Sequence, residues 1–114
     1  MKASLPGEAD IYVGEFSKTP YGRFDRDGKF NGKKFRELML LKNFTDNNIR
    51  KVNVHLDTVE EGYEYGSSFL EEAFGGLIRV HGLSKDAVLA KLNVVTEHKD
   101  YIIEIKDYIE IAAR

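Results

Sequence analysis

The residues best placed for chemistry fall between Asp57 and Glu72, where carboxylates at Asp57, Glu60, Glu61, Glu64, Glu71 and Glu72 surround the run Tyr65-Gly66-Ser67-Ser68-Phe69. Two serines ahead of an apolar helical pattern predict a helix start, with Ser67 or Ser68 as its cap. A hydroxyl there lies beside unpaired backbone N–H groups and the positive end of the helix dipole, which tolerates or stabilises a phosphoryl group. The neighbouring carboxylates act in the opposite sense, repelling phosphate or recruiting a cation. Oxygen ligands suit Mg²⁺, yet Glu71 and Glu72 are about 100° apart on a helix and the spacing matches no established ion-binding loop. The alternative this cluster offers is a small metal-assisted hydrolase built on Asp57, Glu61 and Glu64.

The remaining polar residues are dispersed. His55, His81 and His98 lie in separate elements, without a paired-histidine metal motif or a Ser-His-Asp order. Arg23 sits between Gly22 and Phe24 in a turn-rich stretch, and its planar fork suits an anion or a partner carboxylate. The absence of cysteine excludes disulfides, thiolate metal sites and cysteine nucleophiles.

Strands alternating with helices must position these groups. Residues 11–16 read as a first strand, and Ser17 to Gly32 as turns with a short hairpin partner near Arg23 and Phe24. Asn31 can cap a helix over about 33–44 with Phe35, Leu38 and Met39 facing inward. The strict alternation of residues 51–57 puts Val52, Val54 and Leu56 on one face of a central strand. A helix over 67–80 follows, with Phe69, Leu70, Ala73, Phe74, Leu77 and Ile78 on a broad apolar face. Gly75-Gly76 inside it costs about 2 kcal/mol relative to two alanines, so a close approach by another element is expected there. Ser84 can cap a short helix that leads into a brief strand at 94–96. A last helix over 100–113 carries the stripe Ile102, Ile105, Ile109 and Ala112, flanked by Tyr101 and Tyr108. The sum is a single α/β domain over residues 1–114, a mixed sheet of about four strands with helices mainly on one face.

With 17 basic against 19 acidic residues the chain carries no electrostatic footprint for nucleic acid. No run is long and apolar enough for a secretory signal or a membrane span, so a cytoplasmic location is expected.

The order of short motifs adds a family. Phe16-Ser17, Pro20-Tyr21-Gly22-Arg23-Phe24, Asp27-Gly28, Gly32-Lys33-Lys34-Phe35-Arg36-Glu37 and above all the run from Gly66 through Ser67-Ser68 to Leu77 resemble the STAS-like family described as a domain of unknown function. In the related STAS domains of anti-sigma-factor antagonists, a serine at this helix start is phosphorylated by a histidine-kinase-like (GHKL) ATPase. The resemblance therefore implies a regulatory protein-binding module rather than an enzyme, without a cofactor, that partners such an ATPase. Its binding and modification surface falls on Ser67, Ser68, Gly66, Tyr65, Asp57 and Arg23. The antagonists' Asp-Ser-Ser-Gly is replaced here by Gly66-Ser67-Ser68-Phe69, which removes the acidic residue before the serine and leaves binding as the most direct implication. A scaffold role in a phage or defence-related assembly is a further reading of the same fold.

Overall fold

The computed structural model describes residues 6–114. Three strands, β1 (Glu8–Tyr12), β2 (Lys51–His55) and β3 (Leu92–Val95), form a sheet in the order β1-β2-β3, and both pairings are parallel. Parallel neighbours need crossover connections, and helices provide them. Between β1 and β2 runs α1, residues 32–45, and between β2 and β3 run α2, residues 67–79, and α3 (Lys85–Lys91). The chain ends in α4 (Lys99–Ala112). The α/β class is as expected, with three strands among the described residues rather than about four, all paired in parallel rather than in a mixed sheet.

Register sorts the two faces of the sheet. Ile11 pairs with Val54 and Val54 with Val94, while Val52 pairs with Leu92, so one face is apolar and merges with the helices' buried side chains. Val52 and Val54 are fully buried and Leu56 nearly so. Asp10, Asn53 and Asn93 align on the other face, where Asn53 Nδ2 donates to Asp10 (3.1 Å) and Glu8 (2.9 Å) and Asn93 Nδ2 donates to Asn53 Oδ1 (2.9 Å). Beside them His55 Nε2 lies 2.9 Å from Asp10 and its ring stacks on Tyr12. Alternation thus predicts the apolar face of β2 correctly, but the strand ends at His55 rather than at residue 57, where a 3-10 turn over Leu56–Thr58 takes over, and Asn53 on the opposite face is buried as well, among its polar partners.

Strand β1 begins and ends three or four residues earlier than the expected span of 11–16. Val13–Phe16 form a helical turn instead, closed by Ser17 N–H donating to the Val13 carbonyl. The reason lies at Gly14, whose N–H donates to Thr58 Oγ1 (2.8 Å) and whose backbone comes so near that a Cβ would stand 1.9 Å from the Thr58 carbonyl oxygen. The hairpin partner expected near Arg23 and Phe24 is absent; residues 21–33 are closed on themselves by Tyr21 N–H to Phe30, Gly32 N–H to Gly22 and Lys33 N–H to Arg23, with a 3-10 turn at Asp25–Asp27.

Two of the three long helices, α1 and α2, contain a π turn. In α1 the turn at Gly32–Phe35 passes into a π segment at Arg36–Leu40, where Leu41 N–H donates to the Arg36 carbonyl, and then into Leu41–Thr45. In α2 the π segment is Glu71–Gly75, between Ser67–Leu70 and Gly76–Arg79. Asn31 and Ser84 cap α1 and α3 as expected, accepting from Lys34 N–H (3.0 Å) and Ala87 N–H (3.3 Å). No helix among the described residues is long and apolar enough to cross a membrane.

Candidate functional site at the start of α2

Helix α2 starts on Gly66, not on a serine. Gly66 is extended (φ −78°, ψ 146°) and is the capping position, and no side chain caps the helix. Ser67 and Ser68 therefore occupy the first two helical positions and both are exposed. The expectation of a serine cap is corrected here: one residue of phase moves each hydroxyl from the cap onto the outer surface of the first turn. Ser67 neighbours the Tyr108 phenol, whose pKa is pushed up to about 12 by burial and by the Glu104 carboxylate to which it donates (2.5 Å).

The 21–28 loop faces these serines. Tyr21, Gly22, Arg23, Arg26 and Asp27 line a cleft of about 420 Å³ together with Gly66, Ser67, Ser68 and Phe69. The loop is held from within, since the Asp27 carboxylate accepts from Arg23 N–H (3.0 Å) and Phe24 N–H (3.2 Å), and these bonds keep its pKa below the usual carboxylate range. Asn31 Nδ2 fixes the far side through Asp25 (3.1 Å) and the Gly28 carbonyl (2.8 Å). Arg26 lies over the Phe24 ring at 5.0 Å.

Behind the cleft lies a charge network. Arg23 donates to Glu71, and Arg79 spans Glu71 (2.5 Å) and Glu72 (3.1 Å). Arg36, 1% exposed, donates through Nη1 to Glu72 Oε2 (2.9 Å) and to the Glu72 carbonyl (2.5 Å), and through Nε to His81 Nε2 (3.1 Å). Burial raises the Glu71 carboxyl, but bonds from Arg79 and Arg23 outweigh it and hold the pKa below its ordinary value. Burial first and the Arg36 charge second depress the His81 pKa, which agrees with an imidazole that accepts from a guanidinium. Three arginines thus meet two glutamates, so that Glu71 and Glu72, two of the six acids expected to repel an anion at Ser67, are already paired.

Arg36 went unrecognised from the sequence, although a signal existed. A Cβ on Gly76 would stand 2.1 Å from Arg36 Nη1, so Gly76 marks the close approach that a glycine pair inside a helix implies. The other expected site residues lie to one side of the cleft. Tyr65 is 8% exposed, and its phenol donates to the Leu56 carbonyl (2.6 Å). Burial first, then the Asp57 charge, pushes that phenol's pKa far up. Asp57 accepts from Thr96 Oγ1 (2.6 Å) and Glu97 N–H (2.7 Å), tying the ends of β2 and β3 together. No group of three or more histidines and carboxylates among the described residues is arranged to hold a metal ion.

A search of curated proteins and a search of solved structures each returned no match. A scan of family models returned the STAS-like domain of unknown function (DUF4325), matched over residues 31–101. That span covers α1, β2, α2, α3 and β3, and it contains both halves of the Arg36–Glu72 pair. With more than half of its length inside the match, the chain belongs to the family of STAS-like domains of unknown function.

Proposed function

We propose that this chain is a regulatory protein-binding module, docking its partner through the first turn of α2, the 58–66 loop and the 21–28 loop. The observation that carries the reading is the joint exposure of Ser67 and Ser68 on a cleft shared with Arg23 and Arg26. A phosphoryl group on either serine meets the positive end of α2 on one side and guanidinium groups on the other. Docking is then sensitive to charge at this turn. The partner is a GHKL-type ATPase acting as kinase, the class that modifies the corresponding serine in related STAS domains. The pairing of Glu71 and Glu72 with arginines supports this, because it removes the repulsion those carboxylates would exert on a phosphate.

The metal-assisted hydrolase has weaker support, since Asp57 is committed to Thr96 and Glu97 rather than to a shared site with Glu61 and Glu64. The test is capture from host lysate with the wild type beside Ser67→Glu/Ser68→Glu, reading proteins and phosphopeptides by mass spectrometry. The expected result is an ATPase retained by the wild type and lost by the variant, with phosphate on Ser67 or Ser68. Equal capture by both would remove the switch and keep the binding module.

A further inference from the structure

A second cavity, of about 220 Å³, opens where the chain leaves the carboxyl ends of β2 and β3. Ligands of parallel α/β sheets collect at this end of the strands. Tyr63, Tyr65 and Tyr101 line it. The Tyr63 and Tyr101 rings stand at 81° and 84° to the Tyr65 ring, with centroids 5.8 and 5.3 Å away, so the three form angled walls rather than a stack. Each phenol is anchored: Tyr63 donates to the Pro20 carbonyl, Tyr65 to the Leu56 carbonyl, and Tyr101 accepts from Tyr65 N–H (3.1 Å). The aromatic surface is therefore set before anything binds.

Charge gives this cavity a sign. Asp57, Glu60, Glu61 and Glu97 line it, whereas no lysine or arginine does. Glu60, Glu61 and Glu97 are exposed and take part in no ion pair among the described residues, in contrast to Glu71 and Glu72. Tyrosine rings beside unpaired carboxylates attract an organic cation through both the ring quadrupole and the charge. The volume is below the range that encloses drug-sized ligands, and suits the end of one side chain.

We propose that this cavity receives the guanidinium or ammonium end of an arginine or lysine presented by the protein partner. The proposal rests on the docking reading above and names the partner's chemistry. Tyr65 lines this cavity and Gly66 lines the serine cleft, so one partner surface can engage both. Arginine and tyrosine are both enriched among the residues that anchor protein interfaces.

The test is an amide NMR titration with acetyl-Gly-Arg-Gly-amide, its citrulline counterpart and methylguanidine. The expected result is saturable shifts at Gly62, Tyr65 and Glu97 with the arginine peptide, roughly tenfold weaker binding of citrulline, and a similar loss in Glu60→Gln/Glu61→Gln/Glu97→Gln. Unchanged signals elsewhere in that variant exclude misfolding as the cause of the loss. Equal binding of the citrulline peptide, or no saturation at millimolar arginine peptide, overturns the cation pocket. Methylguanidine binding more tightly than the peptide overturns the protein source in favour of a free guanidinium compound. Capture of the lysate partner, run in parallel, separates the two readings. A partner held equally by the wild type and the triple variant leaves docking intact and sinks the pocket, while absence of any partner sinks docking.

Discussion

A guanidinium that is 1% exposed must have its donors met, and Arg36 meets them with Glu72 and with the ring nitrogen of His81. Removing one member of such a pair leaves an uncompensated buried charge. Arg36→Met is therefore expected to cost about 3–5 kcal/mol in urea denaturation, and Arg36→Met/Glu72→Met to recover most of it. Full additivity of the two single losses would show that the residues are not coupled. His81 gives the pair a pH dependence. Its pKa is depressed in the folded state, so the unfolded chain binds the extra proton first. Stability should be level above the unfolded pKa of about 6.5 and fall as the pH drops below it. His81→Gln keeps an acceptor for Arg36 without titrating, and its denaturation midpoint should change less between neutral pH and mildly acidic pH than the wild type's; an identical decline would exclude His81. At this scale the sequence was legible in kind but not in pairing. The six carboxylates read as one acidic field, whereas Glu71 and Glu72 are neutralised by residues as distant in the chain as Arg23 and Arg36. Nothing local to residues 57–72 encodes those partners.

The π turn in α1 explains where helical periodicity misleads. In α1 the buried apolar side chains are Phe35, Leu40 and Phe44, a step of five and then of four, and Leu38, expected inside, is 61% exposed. An α-helix would bring Leu38 or Met39 under Phe35; the extra residue in the π turn brings Leu40 there instead. The same widening places Arg36 and Glu72, both in π segments, on buried faces. Gly76 then gives up its side-chain space to the Arg36 guanidinium. Gly76→Ala, which ordinary helix propensity would favour, should instead cost about 1–3 kcal/mol through overpacking. A gain in stability on denaturation would contradict the close approach. Other local features were read well, with or without an insert: the apolar face of β2, the apolar face of α2 and the caps at Asn31 and Ser84 all match. In α4 the stripe rotates slightly. Ile105 and Ile109 are fully buried, but Ile102 is 38% exposed while Tyr101 and Tyr108 pack on the core, because large aromatic rings at the stripe's margin reach the core more easily than a shorter chain.

Across the whole molecule, a three-stranded parallel sheet, its crossover helices and two closed loops bring Arg23 and Arg26 to the serines that follow β2 by a dozen residues. Residues 31–101 carry the family match, whereas Arg23 and Arg26 come from before it. The cleft is thus assembled from two stretches of chain. The class and the order of elements were legible because hydrophobic period is a local property. The cleft was only half legible, since the closure of residues 21–33 depends on backbone bonds such as Gly32 N–H to Gly22 that no pattern announces. The central claim is that a partner protein sits over the first turn of α2. It is tested most directly by placing a photo-crosslinking amino acid at position 68 in the host cell, and separately at position 48, an exposed turn outside the cleft. The account predicts one discrete crosslinked protein at position 68 that is missing at position 48. The same crosslinks from both positions, or none from position 68, would contradict it.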